Sequence, residues 1–202
     1  MIQRNLQKEL DAIIKDIEAS GKRPRLLLHV CCAPCSSYCL EYLSKYFDIT
    51  IFFYNPNIDD EDEYRKRIDE EKRLILQMNL GVRFEEGEYE PQMYHQRIEG
   101  HEGDPEGGQR CSICFQMRLD MTAKKARDEG YDWFTTSLSI SPMKNAMRLC
   151  TIGEEAASKY GTKYLPSDFK KRDGYKRSIE LSREHGLYRQ DYCGCSYSKR
   201  NR

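Results

Sequence analysis

Cysteine is the residue type in this sequence whose spacing most clearly indicates chemistry. Seven of the nine cysteines fall in three short groups: Cys31, Cys32 and Cys35, then Cys111 and Cys114, then Cys193 and Cys195. Thiolates are soft metal ligands and good nucleophiles. Groups that lie about 80 residues apart are not zinc-finger pairs, so the fold must bring them together as it does in an active site.

The three groups leave more than one chemistry open. "CSIC" is predicted to begin a helix, whose positive end favours thiolates. "CAPC" is similar to a thioredoxin-type redox motif, but the additional Cys31 and the second pair argue against a simple dithiol exchanger. A disulfide within "CGC" would be strained, so this pair suits redox chemistry or a neighbouring metal. Structural zinc needs only four ligands, so the surplus of thiols favours an iron–sulfur cluster over zinc or pure thiol chemistry.

Other candidate side chains lie near these groups or on predicted helices. Cys39 and Cys150 occupy the apolar faces of predicted helices, and we expect both to be buried as small hydrophobic side chains. Cys35 and His29 lie near the end of the first predicted strand, and they are candidates for a second metal site or a proton relay. Alternation within the strand favours the interpretation that His29 is packed or hydrogen-bonded.

Strands and helices alternate along the predicted elements that must position these residues. Apolar runs predict strands at 25–30, 48–55, 82–89, 133–140 and 162–169. Periodic segments predict helices at 1–20, 36–47, 60–80, 112–129 and 144–160. Ser36 or Ser37 is the expected N-cap of the second helix, and Gly81 is expected just after the end of the third.

This alternation predicts one α/β domain over residues 1–202, with a Rossmann-like parallel sheet and helices on both faces. Ligands bind such sheets at the carboxyl ends of the strands, where "CCAPCS" follows the first strand. We therefore expect a cysteine-rich metal site at that edge. The Gly-rich segment 99–110 is predicted to be a flexible loop, and 170–202 is a basic segment that carries "CGC".

Charge and composition exclude several classes of protein. The loop after the first strand contains no glycine to cradle phosphate, so ATP chemistry at this site is not expected. The sequence has neither a signal peptide nor a long apolar run, which predicts a cytoplasmic protein without membrane contact. Residues 159–202 contain 12 basic and 5 acidic side chains, and this excess suits either a polyanionic partner or a solvated tail.

Four segments together resemble one known family. "HVCCAPCS", "RCSIC", "LSISPMKN" and "YCGCSYS" resemble the QueH family of epoxyqueuosine reductases, over about residues 24–198. The combination is specific, although each motif alone is weak. This family is similar to the PP-loop ATPase group of Rossmann-like folds, and here cysteines occupy the position of the glycine-rich loop.

The resemblance implies the last step of queuosine synthesis, in which an epoxide on the wobble nucleoside of tRNA is reduced to an alkene with loss of water. It implies a [4Fe–4S] cluster, with a second iron as a further candidate, and no cobalamin. The motifs assign six cysteines: Cys31, Cys32, Cys111 and Cys114 as cluster ligands, and Cys193 and Cys195 as a redox or second-metal pair.

The implied partners are a tRNA carrying epoxyqueuosine in its anticodon loop and an external electron donor. Tyrosines alternate with basic residues near "CGC", and Arg189, Lys199 and Arg200 are candidate tRNA contacts. The alternative function is a zinc-stabilised RNA-binding module without redox activity, and a thioredoxin-like exchanger is third.

Overall fold

Four parallel strands form the central sheet of the computed structural model, which describes residues 4–199. The strands are β1 (Arg25–His29), β2 (Asp48–Phe53), β3 (Arg83–Glu86) and β4 (Trp133–Thr136), in the spatial order β3-β2-β1-β4. In the register of β1, Leu26 pairs with Ile49 on one side and with Trp133 on the other. Because every pairing is parallel, all four carboxyl ends meet at one edge of the sheet.

Helices cover both faces of this sheet, as predicted. They are α1 (Leu6–Ser20), α2 (Ala33–Leu43), α3 (Glu61–Met78), α4 (Pro91–Arg97), α5 (Gln109–Asp128), α6 (Ala146–Tyr160), α7 (Gly174–Glu184) and α8 (Ser196–Lys199). Side chains alternate along a strand, so Leu26 and Leu28 pack on one face of β1 while Leu27 packs on the other. The first face contacts α1, α2 and α3, and the second contacts α5 and α6.

All five predicted strands are longer than the observed ones, and local contacts accompany the differences in two of them. The strand predicted at 133–140 ends at Thr136, and a 3-10 turn follows at Ser137–Ile140. The Thr136 side chain accepts a hydrogen bond from the Leu138 N–H, which starts this turn instead of extending the strand. The strand predicted at 162–169 is reduced to one bridge between Phe134 and Tyr164, and the Leu165 carbonyl accepts a hydrogen bond from the Thr135 hydroxyl at 2.9 Å.

The predicted ends of two helices are also wrong. Helix α2 begins at Ala33 with Pro34 in its first turn, a position that proline favours, so neither Ser36 nor Ser37 is an N-cap. The Ser36 hydroxyl instead contacts the buried carboxyl group of Glu71, at 2.6 Å. Helix α3 ends at Met78, and Asn79 takes the left-handed conformation that was expected of a glycine.

The segment predicted to be a flexible loop, 99–110, consists of turns held around one buried side chain. The Arg110 guanidinium donates to the backbone carbonyls of Glu102 and Asp104. The backbone N–H of Arg110 donates to the side-chain carboxylate of Asp104 at 3.0 Å. Helix α5 already begins at Gln109, and the mobility of the segment stays a prediction. Within residues 4–199, no helix is both long and apolar enough to cross a membrane.

Candidate active site

Three thiols meet at the carboxyl end of the central strand β1. Cys31 and Cys32 follow this strand directly, and Cys35 lies in the first turn of α2. The three sulfur atoms lie within 4.8 Å of one another, which is close enough for all of them to bind one metal ion. The structure therefore adds Cys35, a spare candidate in the sequence, to the predicted ligands Cys31 and Cys32.

These three thiols share their protons unequally. Hydrogen bonds from the thiols of Cys32 and Cys35 hold the pKa of Cys31 well below its usual range. The hydrogen bond to Cys31 raises the pKa of Cys32 to about 12. Hydrogen bonds to Cys31 and Cys32 raise the pKa of Cys35, and burial adds to this effect. Cys31 is therefore the thiol of the three that loses its proton most easily, and a bound cation would favour the thiolate form of all three.

Two neighbouring cavities contain the three cysteine groups. A first cavity, about 300 Å³, is lined by Cys31, Cys32, Cys35 and Cys193. A second cavity, about 200 Å³, is lined by Cys111, Cys114, Cys193 and Cys195. The cavities share Cys193 and Lys144, and the Lys144 ammonium group lies 3.4 Å from the Cys193 sulfur. The fold thus gathers distant cysteines, but it places the four predicted cluster ligands in two cavities instead of one.

The "CSIC" pair occupies the start of α5, as predicted. Helix α5 begins at Gln109, and the Gly107 N–H donates to the Cys111 sulfur at 3.2 Å. Against the expected preference for thiolates, burial raises the pKa of Cys111, and it raises the pKa of Cys114 to about 12. Burial in an apolar environment outweighs the positive end of the helix, so a metal would have to displace protons from both thiols.

The "CGC" segment is fixed by side chains from the loop before α3 and from α3 itself. The Asp59 carboxylate accepts hydrogen bonds from the backbone N–H and the hydroxyl group of Ser196, the latter at 2.6 Å. Arg67 donates from Nη1 to the carbonyl of Cys193 at 3.3 Å. These contacts direct Cys193 and Cys195 towards the cavities.

Only glycine fits between the two cysteines of this segment. Gly194 has a φ of +115°, in a region that other residues rarely adopt. A Cβ atom there would lie 2.8 Å from the Ile58 side chain and 3.2 Å from Arg67 Nη1. The backbone between the cysteines therefore depends on the absence of a side chain.

Replacing Gly194 by alanine is expected to lower the free energy of unfolding by about 1–3 kcal/mol, because it combines backbone strain with a steric clash. Thermal unfolding of the Gly194→Ala variant measures this loss. The matched control is Gly103→Ala, since a Cβ atom at Gly103 meets nothing within 4 Å and its φ is not positive. Equal melting temperatures for the two variants would contradict the prediction.

Sequence reasoning missed a group of cations around the second cavity. Arg110 and Arg118 are 1% and 0% exposed, and both line this cavity together with Lys144. Burial lowers the pKa of Lys144, but its electrostatic interactions with the neighbouring Cys193 and Cys31 outweigh burial and raise the pKa. One signal was present in the sequence: Arg110, Cys114 and Arg118 follow one another at a spacing of four, which places them on one face of α5.

His29 is a neutral, packed side chain. Its Nδ1 lies 2.9 Å from the Thr136 hydroxyl oxygen, and its Nε2 lies 3.1 Å from the Tyr54 carbonyl oxygen. Burial lowers the pKa of His29 to about 3. Both ring nitrogens have partners, in agreement with the packed interpretation; a role as metal ligand or proton relay stays a prediction.

Cys39 and Cys150 are fully buried, as predicted. Each is 0% exposed, and they belong to the cores on opposite faces of the sheet. Neither lines the two cysteine cavities.

The candidate tRNA contacts differ in their surroundings. Arg189 lines the first cavity and donates to the Ser182 hydroxyl at 3.0 Å. Lys199 is half exposed, with its ammonium group 4.6 Å from the centre of the Tyr192 ring. Arg200 lies outside the described residues.

Comparison with known proteins agrees with the motif resemblance. Residues 26–201 match the family model described as "Epoxyqueuosine reductase QueH". A protein of that name from Streptococcus pyogenes serotype M1 is 45% identical, over 96% of this chain and 78% of the relative. Another from Staphylococcus epidermidis is 44% identical, over 96% and 84% of the two chains. A third, from Thermotoga maritima, is 37% identical over 86% and 89%.

Proposed function

The chain belongs to the QueH family of epoxyqueuosine reductases, which are oxidoreductases, and from this premise we propose that it reduces epoxyqueuosine to queuosine at the wobble position of tRNA. We further propose that the reaction depends on an iron–sulfur cluster and is independent of cobalamin. The single observation that carries the proposal is the meeting of all three cysteine groups at two cavities that share Cys193.

The donor set of the second cavity fits an iron–sulfur group. Four cysteines surround about 200 Å³, whereas one water molecule occupies about 30 Å³ in the liquid, so there is room for a polyatomic group. Asn57 lines the same cavity and is 1% exposed, and neither atom of its amide group has a hydrogen-bond partner among the described residues. Buried polar atoms without partners favour an occupant.

The proposed roles follow the motif assignment. Cys111 and Cys114 of the second cavity would hold the [4Fe–4S] cluster, which supplies single electrons when bound, together with Cys31 and Cys32 of the first cavity or with Cys193, which lines both cavities. Removal of the epoxide oxygen as water needs two electrons and two protons, so a second redox group is required beside an external electron donor. Cys193 and Cys195 would serve as that dithiol, or would hold a second iron.

The first cavity supports the entry of a nucleoside. Its volume of about 300 Å³ is at the lower end of the range for small-molecule sites. Tyr192 and Arg189 line it, and Met143 at its edge is 61% exposed. Flat aromatic and guanidinium groups are the side chains on which unstacked RNA bases pack. A wobble nucleoside turned out of the anticodon loop would reach Cys193 through this cavity.

The direct test is an anaerobic preparation incubated with tRNA that carries epoxyqueuosine and with a chemical reductant. We expect a brown protein with bound iron and sulfide, and we expect nucleoside analysis to show conversion to queuosine. A colourless protein that holds zinc and leaves the tRNA unchanged would instead support the zinc-stabilised RNA-binding module.

Neutralising two basic residues beside "CGC" is expected to weaken tRNA binding. Lys199→Ala combined with Arg200→Ala removes two positive charges, so the dependence of log K on log salt should flatten by about 1.4 if both contact single-stranded phosphates. A salt titration of tRNA binding measures the slope. Iron content should not change.

The matched control removes two positive charges elsewhere. Lys15 and Lys22 are exposed, and Lys22 precedes β1, at the opposite edge of the sheet from Cys31. Lys15→Ala combined with Lys22→Ala should leave the slope unchanged. The basic segment is ordinary solvated surface if both double variants bind tRNA like the parent.

A further inference from the structure

Arg118 is a fully buried cation that has no anionic partner among residues 4–199. Its side chain is 0% exposed, and it lies on α5 one turn after Cys114. Nε donates to the carbonyl of Cys114 and Nη1 to the side-chain oxygen of Asn55, each at 3.3 Å. Nη2 has no hydrogen-bond partner in the range 4–199, and no ion pair in that range includes Arg118. A buried charge in this state is unfavourable unless an opposite charge compensates it.

The same fold does supply a carboxylate to another buried arginine. Arg67 on α3 is 1% exposed, and its Nε lies 2.8 Å from Oε1 of Glu63, one turn earlier on that helix. Arg118 has no such residue: one turn earlier on α5 stands Cys114. At the helix position where Glu63 supplies a carboxylate to Arg67, α5 therefore has the thiol of Cys114.

The cavity beside Arg118 contains the groups that could become negative. Arg118 lines the second cavity together with Cys111, Cys114, Cys193 and Cys195. The unpaired guanidinium thus lies at a site that becomes anionic when its thiols bind a metal.

We infer that Arg118 is the internal counter-charge of an anionic metal–thiolate group in the second cavity and that it raises the reduction potential of this group. The inference rests on the proposed iron–sulfur function. A thiolate-bound cluster gains one further negative charge on reduction, so a fixed positive charge nearby stabilises the reduced state more than the oxidised state. Arg118 acts through the metal group and is a positioning residue, not a catalytic one.

The test compares reduction potentials of the full chain after anaerobic reconstitution with iron and sulfide. We expect Arg118→Met to shift the potential of the cluster by about 59 mV or more to the negative side, which is a tenfold change in a one-electron reduction constant. Arg118→Lys keeps the charge and should return the potential towards that of the parent.

The control is Arg23→Met. Arg23 also donates to backbone carbonyls, those of Phe47 and Ser44, but it precedes β1 at the opposite edge of the sheet from the cysteines. This variant should keep the potential of the parent. An equal shift in Arg23→Met and Arg118→Met would overturn the inference.

A second measurement separates charge compensation from a structural role. Without metal, Arg118→Met should melt at or above the temperature of the parent, because an uncompensated buried charge is removed. An Arg118→Met protein that melts at or above the temperature of the parent but no longer binds the cluster would also support the inference. If Arg118→Met does not fold, Arg118→Gln, which keeps N–H donors but loses the charge, carries the same expectation.

The outcomes distinguish this inference from the proposed function. A parent protein that binds no iron–sulfur cluster overturns both. A parent with a cluster whose potential does not change in Arg118→Met, or changes equally in Arg118→Lys, overturns only the role of Arg118.

Discussion

Replacing Cys114 by alanine is expected to remove bound iron and epoxyqueuosine reductase activity together. The Cys114 side chain is buried at 6% exposure and lines the second cavity beside Cys111. Alanine provides no sulfur, and a neighbouring cysteine would have to move through a packed interior to replace it. Iron and sulfide analysis, together with turnover of epoxyqueuosine tRNA, measures the loss, which should be complete for both.

The matched control is Cys150→Ala. Cys150 is equally buried but belongs to the core between α6 and the sheet. Its replacement should cost about 1 kcal/mol of stability, as a small core truncation does, and should leave the iron in place. A Cys114→Ala variant that kept the full absorbance of the cluster would remove Cys114 from the proposed ligands.

Changing Cys193 and Cys195 together to serine is expected to abolish turnover while the main cluster remains. If this pair is the second redox group, the cluster alone passes only one electron at a time, and the variant lacks the partner group that the two-electron reduction of the epoxide requires. Single-turnover and steady-state assays measure the loss of activity, and visible absorbance measures the cluster.

Loss of the whole cluster in that double variant would mean that one of the two residues is a cluster ligand. Cys193 and Cys195 already line the second cavity with Cys111 and Cys114. That outcome would therefore displace Cys31 or Cys32 from the proposed ligands. If both Cys193 and Cys195 are ligands, Cys31, Cys32 and Cys35 would remain as a separate three-thiol site.

Much of the fold could be predicted because local patterns and tertiary structure agree. The parallel sheet, the helices on both faces and the position of Cys31 after β1 all follow from apolar periodicity. The errors occur where a side chain bonds to nearby backbone, as Thr136 does to the Leu138 N–H, or where proline begins a helix, as Pro34 does. These contacts depend on single atoms, and periodicity does not encode them.

The site could be predicted less completely than the fold. Clustered cysteines are visible in the sequence, but the division of seven thiols between two cavities depends on how α5 meets the end of β1. The buried cations could not be predicted from composition, because Arg118 lies in a helix with a charged surface, where arginine is normally solvated. Apart from its spacing from Cys114, only the tertiary structure distinguishes Arg118 from Lys124 and Arg127, which are exposed on the same helix.

The sharing of Cys193 by both cavities has a consequence for protein synthesis. Chains grow from the amino end at about 5–20 residues per second, so the 79 positions from Cys114 to Cys193 take roughly 4–16 s to translate. During that interval the other five cysteines of the two cavities have been translated. Cys193 and Cys195, which complete the lining of the cavities, have not. The nascent chain therefore passes through a stage in which partly formed thiol sites face the metals and oxidants of their surroundings.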